Sequence, residues 1–544
     1  MRWRFLRLLG VMVASVFWLG GVGWATTEFS KDVTNPKVKE LNKKCMMCHL
    51  KENKSLVFQW QESPHAAAKE GPVGCYTCHA ADAGDPLGYN HEGAFIKTLI
   101  SPKDCSYCHS REFKEFENSH HATAGQIMAS LDNILGEVIC SAPAESVKKW
   151  GLPAYAAKAD AQNACWQCHG SVVKVLKDEK GNIIRNKTGA PQFDPSTWPN
   201  SGMGRINPDG TKGSCNACHS KHAFRASVAR QPFACGKCHL GPDHPQKEVY
   251  EESKHGIAYL SAVRERGLMG MNILKTGSWV LGKDYHFAPT CSTCHMGAYV
   301  KSNGSIAPNT HNVGDRISWN LRPPISVKLN RVITTDGKVY DIPGDIPPLP
   351  GQFVQVYDYV RKGDKLVKVK TKKQVKEVIS WKERRAEMKE VCKSCHSMQQ
   401  VDNFYEQFDA LVVTYNEKFA KPAKRIFSEL VKDGLVPKSP FMSKVGWIWF
   451  EIWHHEGRRA RHGAAMLGPD YTHWHGLYEV ANHFYYEYIP EVLEVAKEHG
   501  KLEKYQKLIN EILNTPEHSW RIKGFGALMK QVEEEYKERY GKGQ

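Results

Sequence analysis

Eight copies of one five-residue pattern, Cys-x-x-Cys-His, take up sixteen of the 17 cysteines in this chain. They are Cys45/Cys48/His49, Cys75/Cys78/His79, Cys105/Cys108/His109, Cys165/Cys168/His169, Cys215/Cys218/His219, Cys235/Cys238/His239, Cys291/Cys294/His295 and Cys392/Cys395/His396. On a helical turn, thiols at i and i+3 share a face with a histidine at i+4. That face can offer two sulfurs to the vinyl groups of one porphyrin and bring the imidazole to its iron. Zinc knuckles also use Cys-x-x-Cys, but they pair two knuckles and do not require His next in line. A disulfide scaffold, natural for an exported chain rich in cysteine, leaves the repeated histidine without a reason. The spacing therefore implies eight covalent haem c groups with the eight motif histidines as proximal ligands. Cys140 is left over and reads as a buried thiol.

Other histidines are placed to cap these irons from the far side. Trp60-Gln-Glu-Ser63-Pro-His65-Ala, Phe116-Glu-Asn-Ser119-His-His121-Ala and Tyr250-Glu-Glu-Ser253-Lys-His255-Gly share one pattern, aromatic-x-x-Ser-x-His-small. A repeat that keeps His in one place implies one job, here distal ligation. His91, His222, His286 and His311 sit in short stretches beside haem motifs and are read the same way. Seven distal candidates against eight motifs leave one iron with an open face, and an open iron can do chemistry where a six-coordinate one only passes electrons. His120, His454, His455 and His462 remain as further histidines able to reach an iron.

The elements that must position these groups follow from the rest of the chain. Arg2, Arg4 and Arg7 precede an apolar stretch from Leu8 to about Trp24, and Gly23 and Ala25 suit cleavage, so residues 1–25 read as an export signal. The mature chain is then expected in the periplasm or an equivalent extracytoplasmic compartment. The formal net charge of +16 does not imply nucleic acid as a partner, because sixteen propionates on eight haems offset it and no basic stripe with interleaved aromatics stands out. Residues 26–400 read as one haem-bearing domain in which haem supplies most of the core, with hairpins expected at 172–190 and 326–342 and a surface loop at Ile346-Pro-Pro-Leu-Pro350. Residues 401–544 turn to long helices: Phe404, Phe408, Leu411, Val412, Tyr415 and Phe419 keep one apolar face, as do Tyr505, Leu508, Ile509 and Ile512. The expected class is mainly α, a multihaem cytochrome c fold with little regular β structure followed by a C-terminal helical bundle.

The arrangement resembles the octahaem hydroxylamine oxidoreductases, including the hydroxylamine- and hydrazine-oxidising enzymes of ammonium-oxidising bacteria, over nearly the whole mature chain. Three stretches carry the resemblance: Gly204-Arg205-Ile-Asn207-Pro208-Asp209-Gly210, Gly241-Pro242-Asp243-His244-Pro245 and Gly468-Pro469-Asp470-Tyr471-Thr-His-Trp474-His475-Gly476. It implies that the haem on Cys165 and Cys168, with His169 as proximal ligand, is catalytic and lacks a distal protein ligand. It further implies that Asp243 and His244 are the distal acid-base pair. Tyr471 matches the tyrosine that, in oxidative members, bonds to the catalytic haem of a neighbouring subunit, which implies a homotrimer. Relatives that run in reverse as nitrite reductases lack that tyrosine.

The residues themselves agree with oxidation. Converting hydroxylamine to nitric oxide removes three electrons and three protons, so an open iron needs a proton acceptor beside it, and an imidazole with an adjacent carboxylate suits that task. The expected function is oxidation of hydroxylamine to nitric oxide or nitrite, with electrons leaving to a cytochrome c acceptor. Oxidation of hydrazine to dinitrogen at the same site is the close alternative; nitrite reduction and a pure electron conduit are the others. Met296 and Tyr299, just after a haem motif, are candidates to line the pocket.

Overall fold

The computed structural model describes residues 30–541 apart from 130–134, 136, 140, 159–161 and 363–364, so the expected export signal and Cys140 lie outside the described residues. About half of the structure is helical and 12% is strand, a mainly α fold as expected. Several haem motifs form minimal helices of their own, among them Cys75–His79, Cys165–His169 and Cys291–His295. The first lies inside the longer helix Pro36–Glu52, started by Asn35, whose side chain accepts from the Lys37 amide. The last begins where the helix Trp381–Cys392 ends.

Between the last two motifs the chain builds more sheet than anticipated. Strands Val327–Thr334 and Val339–Pro343 pair around Asp336-Gly337, the hairpin expected at 326–342. The stretch 172–190 makes only isolated bridges, such as Lys177 to Ile183, around the turn at Gly181. A second hairpin, Phe353–Lys362 against Lys365–Ile379, continues onto the first through Val375–Ile379 and was not foreseen. Its alternation is plain in hindsight, for Val367 and Val369 face inward while Lys368, Lys370 and Lys372 face out.

The C-terminal helices bury the apolar faces read from the sequence. Tyr415, Phe419, Tyr505, Leu508, Ile509 and Ile512 share one core with Phe450, Phe484 and Tyr488, while Phe408 and Val412 pack in a neighbouring cluster against Trp319. Asp409, on the helix Met398–Tyr415, ties these helices to the haem-bearing part. Its carboxylate accepts from both Nη atoms of Arg385 at 2.7 Å, from Lys328 Nζ at 2.8 Å and from Trp319 Nε1 at 2.7 Å. Burial pushes this carboxyl's pKa up, but the Arg385 fork, Lys328 and Trp319 outweigh it and hold the group at about 2.

Asp409→Ala should destabilise the chain by about 3 kcal/mol, because two cations are left without their counter-charge. The folded pKa is depressed, so this stability is complete above the ordinary carboxylate pKa of about 4. It is lost as pH falls through the folded value of about 2. Urea midpoints of wild type and Asp409→Ala should thus differ fully at pH 6 and converge in strong acid; a gap of the same size at pH 2 would contradict the assignment.

Candidate functional site: a branched haem cavity

A cavity of about 2500 Å³ runs through the haem-bearing part, lined by all eight motif histidines and most of the motif cysteines. Metal–imidazole nitrogen bonds are about 2 Å long, so two rings capping one iron stand with their centres about 6 Å apart. Among the described residues five of the predicted distal histidines stand at that spacing from a motif histidine: His49–His91 at 6.2 Å, His109–His65 at 6.2 Å, His239–His121 at 6.0 Å, His219–His311 at 6.4 Å and His396–His255 at 6.0 Å. His222 lies close enough to His79 for their charges to interact. Each of the three repeat histidines thus meets a different motif histidine: His65 the third, His121 the sixth and His255 the eighth. His286 is exposed and outside the cavity lining, so the structure does not bring it to a motif histidine.

The donor set fits covalent haem. Burial pushes the pKa of His121 down to about 3 and those of His219 and His239 to about 4, so these imidazoles are neutral and ready to ligate near pH 7. An apolar cavity with paired neutral imidazoles across a planar gap, and thiols at its walls, is the shape of a haem bed. Intact mass of the mature protein should therefore show eight haems on a chain beginning near Thr26; seven or fewer on fully matured protein would refute the count.

The sulfurs also reveal the order in which the motifs adjoin. Cys45 interacts with Cys75, Cys78 with Cys105, Cys105 with Cys215, Cys218 with Cys235, Cys235 with Cys291 and Cys294 with Cys392. Cys168, of the fourth motif, lies beside the sixth: its Sγ donates to the Lys237 carbonyl at 3.8 Å, next to Cys238. The result is one path through seven motifs with the fourth as a side branch joined at the sixth.

That branch is where Asp243 and His244 lie. They follow the sixth motif through Gly241, and His244 influences the charge on Cys168. His244 Nδ1 is 3.6 Å from Asp243 Oδ1, while Arg458 Nη1 donates to Asp243 Oδ2 at 3.3 Å and His454 Nδ1 stands 3.9 Å away. His454, Arg458 and His462 recur every four residues, and the helical run from Glu451 to Met466, which opens with a wide π turn, turns that face toward the site. His462, half-buried, lines the cavity, and Gln246 bridges it to His239 at 3.3 Å on each side. Arg458 and Gln246 escaped the sequence reading. The four-residue spacing was a usable signal, but nothing local says what that face meets. His244 also stands 6.2 Å from His239, a second ring at ligand spacing from the sixth motif.

The stretch at Gly204–Gly210 clamps the fourth motif from behind. Met203 and Gly204 amides donate to the carbonyls of Cys168 and His169, and a Cβ at Gly204 would come within 2.2 Å of Gly125 N. Buried Arg205 reaches Asn207 Oδ1, Asn200 O and Ile100 O. Tyr471 behaves differently: it is partly exposed, outside the cavity lining, with its amide bonded to Glu252 Oε1 at 3.2 Å. Gly463 and Gly476 let its short helix press against the run after Gly457, since a Cβ at either would come within 2.6 Å of the backbone around Tyr471. Met296 lines the cavity, whereas Tyr299 is buried beneath Arg316 and does not.

Comparison with known proteins bears on the whole arrangement. Residues 205–335 match the family model described as seven times multi-haem cytochrome CxxCH. A stretch of 282 residues, 50% of this chain, is 27% identical to the probable nitrite reductase-hydroxylamine oxidoreductase fusion protein of Kuenenia stuttgartiensis. The match spans only 27% of that relative's length. A solved hypothetical multiheme protein shares the fold, with a TM-score of 0.62 at 23% identity over 88% of this chain and 97% of its own. A reducing HAO-like protein complex of Kuenenia stuttgartiensis aligns with a TM-score of 0.47 at 18% identity over 90% of each chain. Over residues 205–335 the chain is thus similar to the multihaem c-type cytochromes, in keeping with its Cys-x-x-Cys-His motifs and the cavity they line.

Proposed function

We propose that the chain is an exported octahaem oxidoreductase that oxidises hydroxylamine to nitric oxide or nitrite at the haem on Cys165, Cys168 and His169. The observation that carries this reading is the Asp243–His244 pair beside the branch motif, where a reacting group would meet both an iron and a proton acceptor. Bound there, the haem supplies an iron that takes a nitrogen nucleophile and accepts its electrons. His244 accepts the protons that leave nitrogen and oxygen; the Asp243 carboxylate, held by Arg458, stands 3.6 Å from its Nδ1 and favours the imidazolium that forms. Haems held by the other motifs would carry the electrons away from the sixth motif to a cytochrome acceptor.

Tyr471 belongs to this proposal as the cross-linking residue of a homotrimer. Its place outside its own chain's cavity, beside exposed Trp474 and Tyr478, favours a bond to the haem of a neighbouring copy. The test is steady-state reduction of cytochrome c, comparing hydroxylamine with hydrazine. Hydroxylamine should give the higher kcat/KM; faster turnover of hydrazine would shift the assignment to dinitrogen formation, and no reduction by either would overturn it. Electron paramagnetic resonance should show low-spin centres at the six motifs whose histidine faces a second imidazole and a haem at the fourth motif that is not low-spin; eight low-spin bis-His centres would make the chain a conduit. The reductive reading draws on the name of the Kuenenia relative and predicts nitrite-dependent oxidation of reduced viologen.

A further inference from the structure

We propose that the surface around the first haem motif is the port where electrons leave the chain, and that it receives an acidic one-electron carrier protein. The inference rests on haem loading and on the direction of flow proposed above.

The sulfur path has two ends, the first motif and the eighth, and each has an exposed cysteine, Cys48 and Cys395. Their surroundings differ in charge. Around the first motif Lys37, Lys39, Lys43, Lys44, Lys51 and Lys54 are all exposed, against the fewer carboxylates of Asp32, Glu40, Glu52 and Glu92. Lys44 donates to the Glu92 carbonyl, and among the described residues no ion pair within 4.0 Å involves any of the six. At the eighth motif the lysines are neutralised: Lys389 pairs with Asp402 at 2.5 Å and Lys393 with Glu390 at 2.8 Å.

Like charges in excess along the helix Pro36–Glu52 and the start of Lys54–Gln61 repel one another, and such a field steers an acidic protein into contact. The lysines surround an apolar centre. Met47 is 60% exposed and Leu50 40%, and neither lines the haem cavity, so both face outward beside Cys48. A small apolar patch in a charged ring suits a weak, fast-exchanging redox encounter. At this port one electron passes from the reduced first haem to the oxidised centre of the carrier; no proton or bond moves.

The test uses the full holoprotein reduced with dithionite and desalted, so it does not depend on the nitrogen substrate. Oxidised plastocyanin serves as the acidic probe and benzoquinone as an uncharged one, with haem re-oxidation followed by stopped flow. Lys43→Glu/Lys51→Glu/Lys54→Glu should slow the plastocyanin reaction at least tenfold at low ionic strength and flatten its salt dependence. Its benzoquinone rate and haem spectrum should stay unchanged. Lys368→Glu/Lys370→Glu/Lys372→Glu, on the other lysine-rich surface, should leave the plastocyanin rate as it was. An unchanged plastocyanin rate in the first variant, or an equal loss in the second, would overturn the port. So would wild-type binding to phosphatidylglycerol vesicles that the first variant loses while keeping its plastocyanin rate, since the lysines would then serve a membrane.

Discussion

Tyr471→Phe should run as single chains under denaturing conditions, where the wild type should run as a covalent oligomer that no thiol reductant dissolves. The substitution keeps the ring, which lies 5.5 Å from His475, and the backbone's fit against Gly463, Gly476 and Glu252, and removes only the phenol oxygen. Burial, Glu248 and Glu252 raise the phenol's pKa, so the group is a neutral phenol before any bond forms. A porphyrin bonded at its edge loses planarity and conjugation, so the variant should also lose an altered haem band while keeping seven ordinary ones. Loss of most hydroxylamine oxidation should accompany that change, with nitrite reduction gained, because an undistorted haem no longer favours oxidation of what it binds. A wild type that already runs as single chains, together with unchanged oxidation in Tyr471→Phe, would remove Tyr471 from the mechanism.

Loss of the proton acceptor should be the other large effect. A positioned general base contributes about 10² to 10⁴ in rate, so His244→Ala should lower kcat for hydroxylamine by about that factor with haem content unchanged. Added imidazole should restore part of the rate. Asp243→Asn keeps the shape but leaves Arg458 without its carboxylate and should cost a comparable factor. The same variants separate two roles that the distances allow, because His121 and His244 both stand at ligand spacing from His239. If His121 caps the sixth iron and His244 serves the fourth, His121→Ala turns one low-spin centre high-spin while His244→Ala leaves the low-spin count intact. The reverse pattern would assign His244 to the sixth iron and deprive the fourth of its base.

The two hairpins between the last haem motifs show where sequence reading stopped. Asp336-Gly337 is a local turn signal flanked by apolar runs, and that hairpin was readable. The hairpin at 353–379 had an equally regular alternation, but its lysines disguised a half-buried strand as a solvated stretch. Apolar helix faces such as Phe408, Val412 and Tyr415 were readable because burial follows a period that a single segment displays in full.

By itself the sequence determined the haem chemistry, since attachment needs only two thiols and an imidazole on one turn of chain, and five consecutive residues contain all of that. It also marked His65, His121 and His255 as equivalents through a shared local pattern. Only the tertiary structure decided which histidine faces which, that His286 faces none, and that the fourth motif branches from the sixth through Cys168 and Cys238. It alone brought Arg458, His454 and His462 from more than 200 residues away onto Asp243, His244 and His239. The reason is physical: ligation across a plane and proton transfer depend on distances of a few ångströms between segments remote in sequence, and those distances are set by packing, which no local pattern encodes.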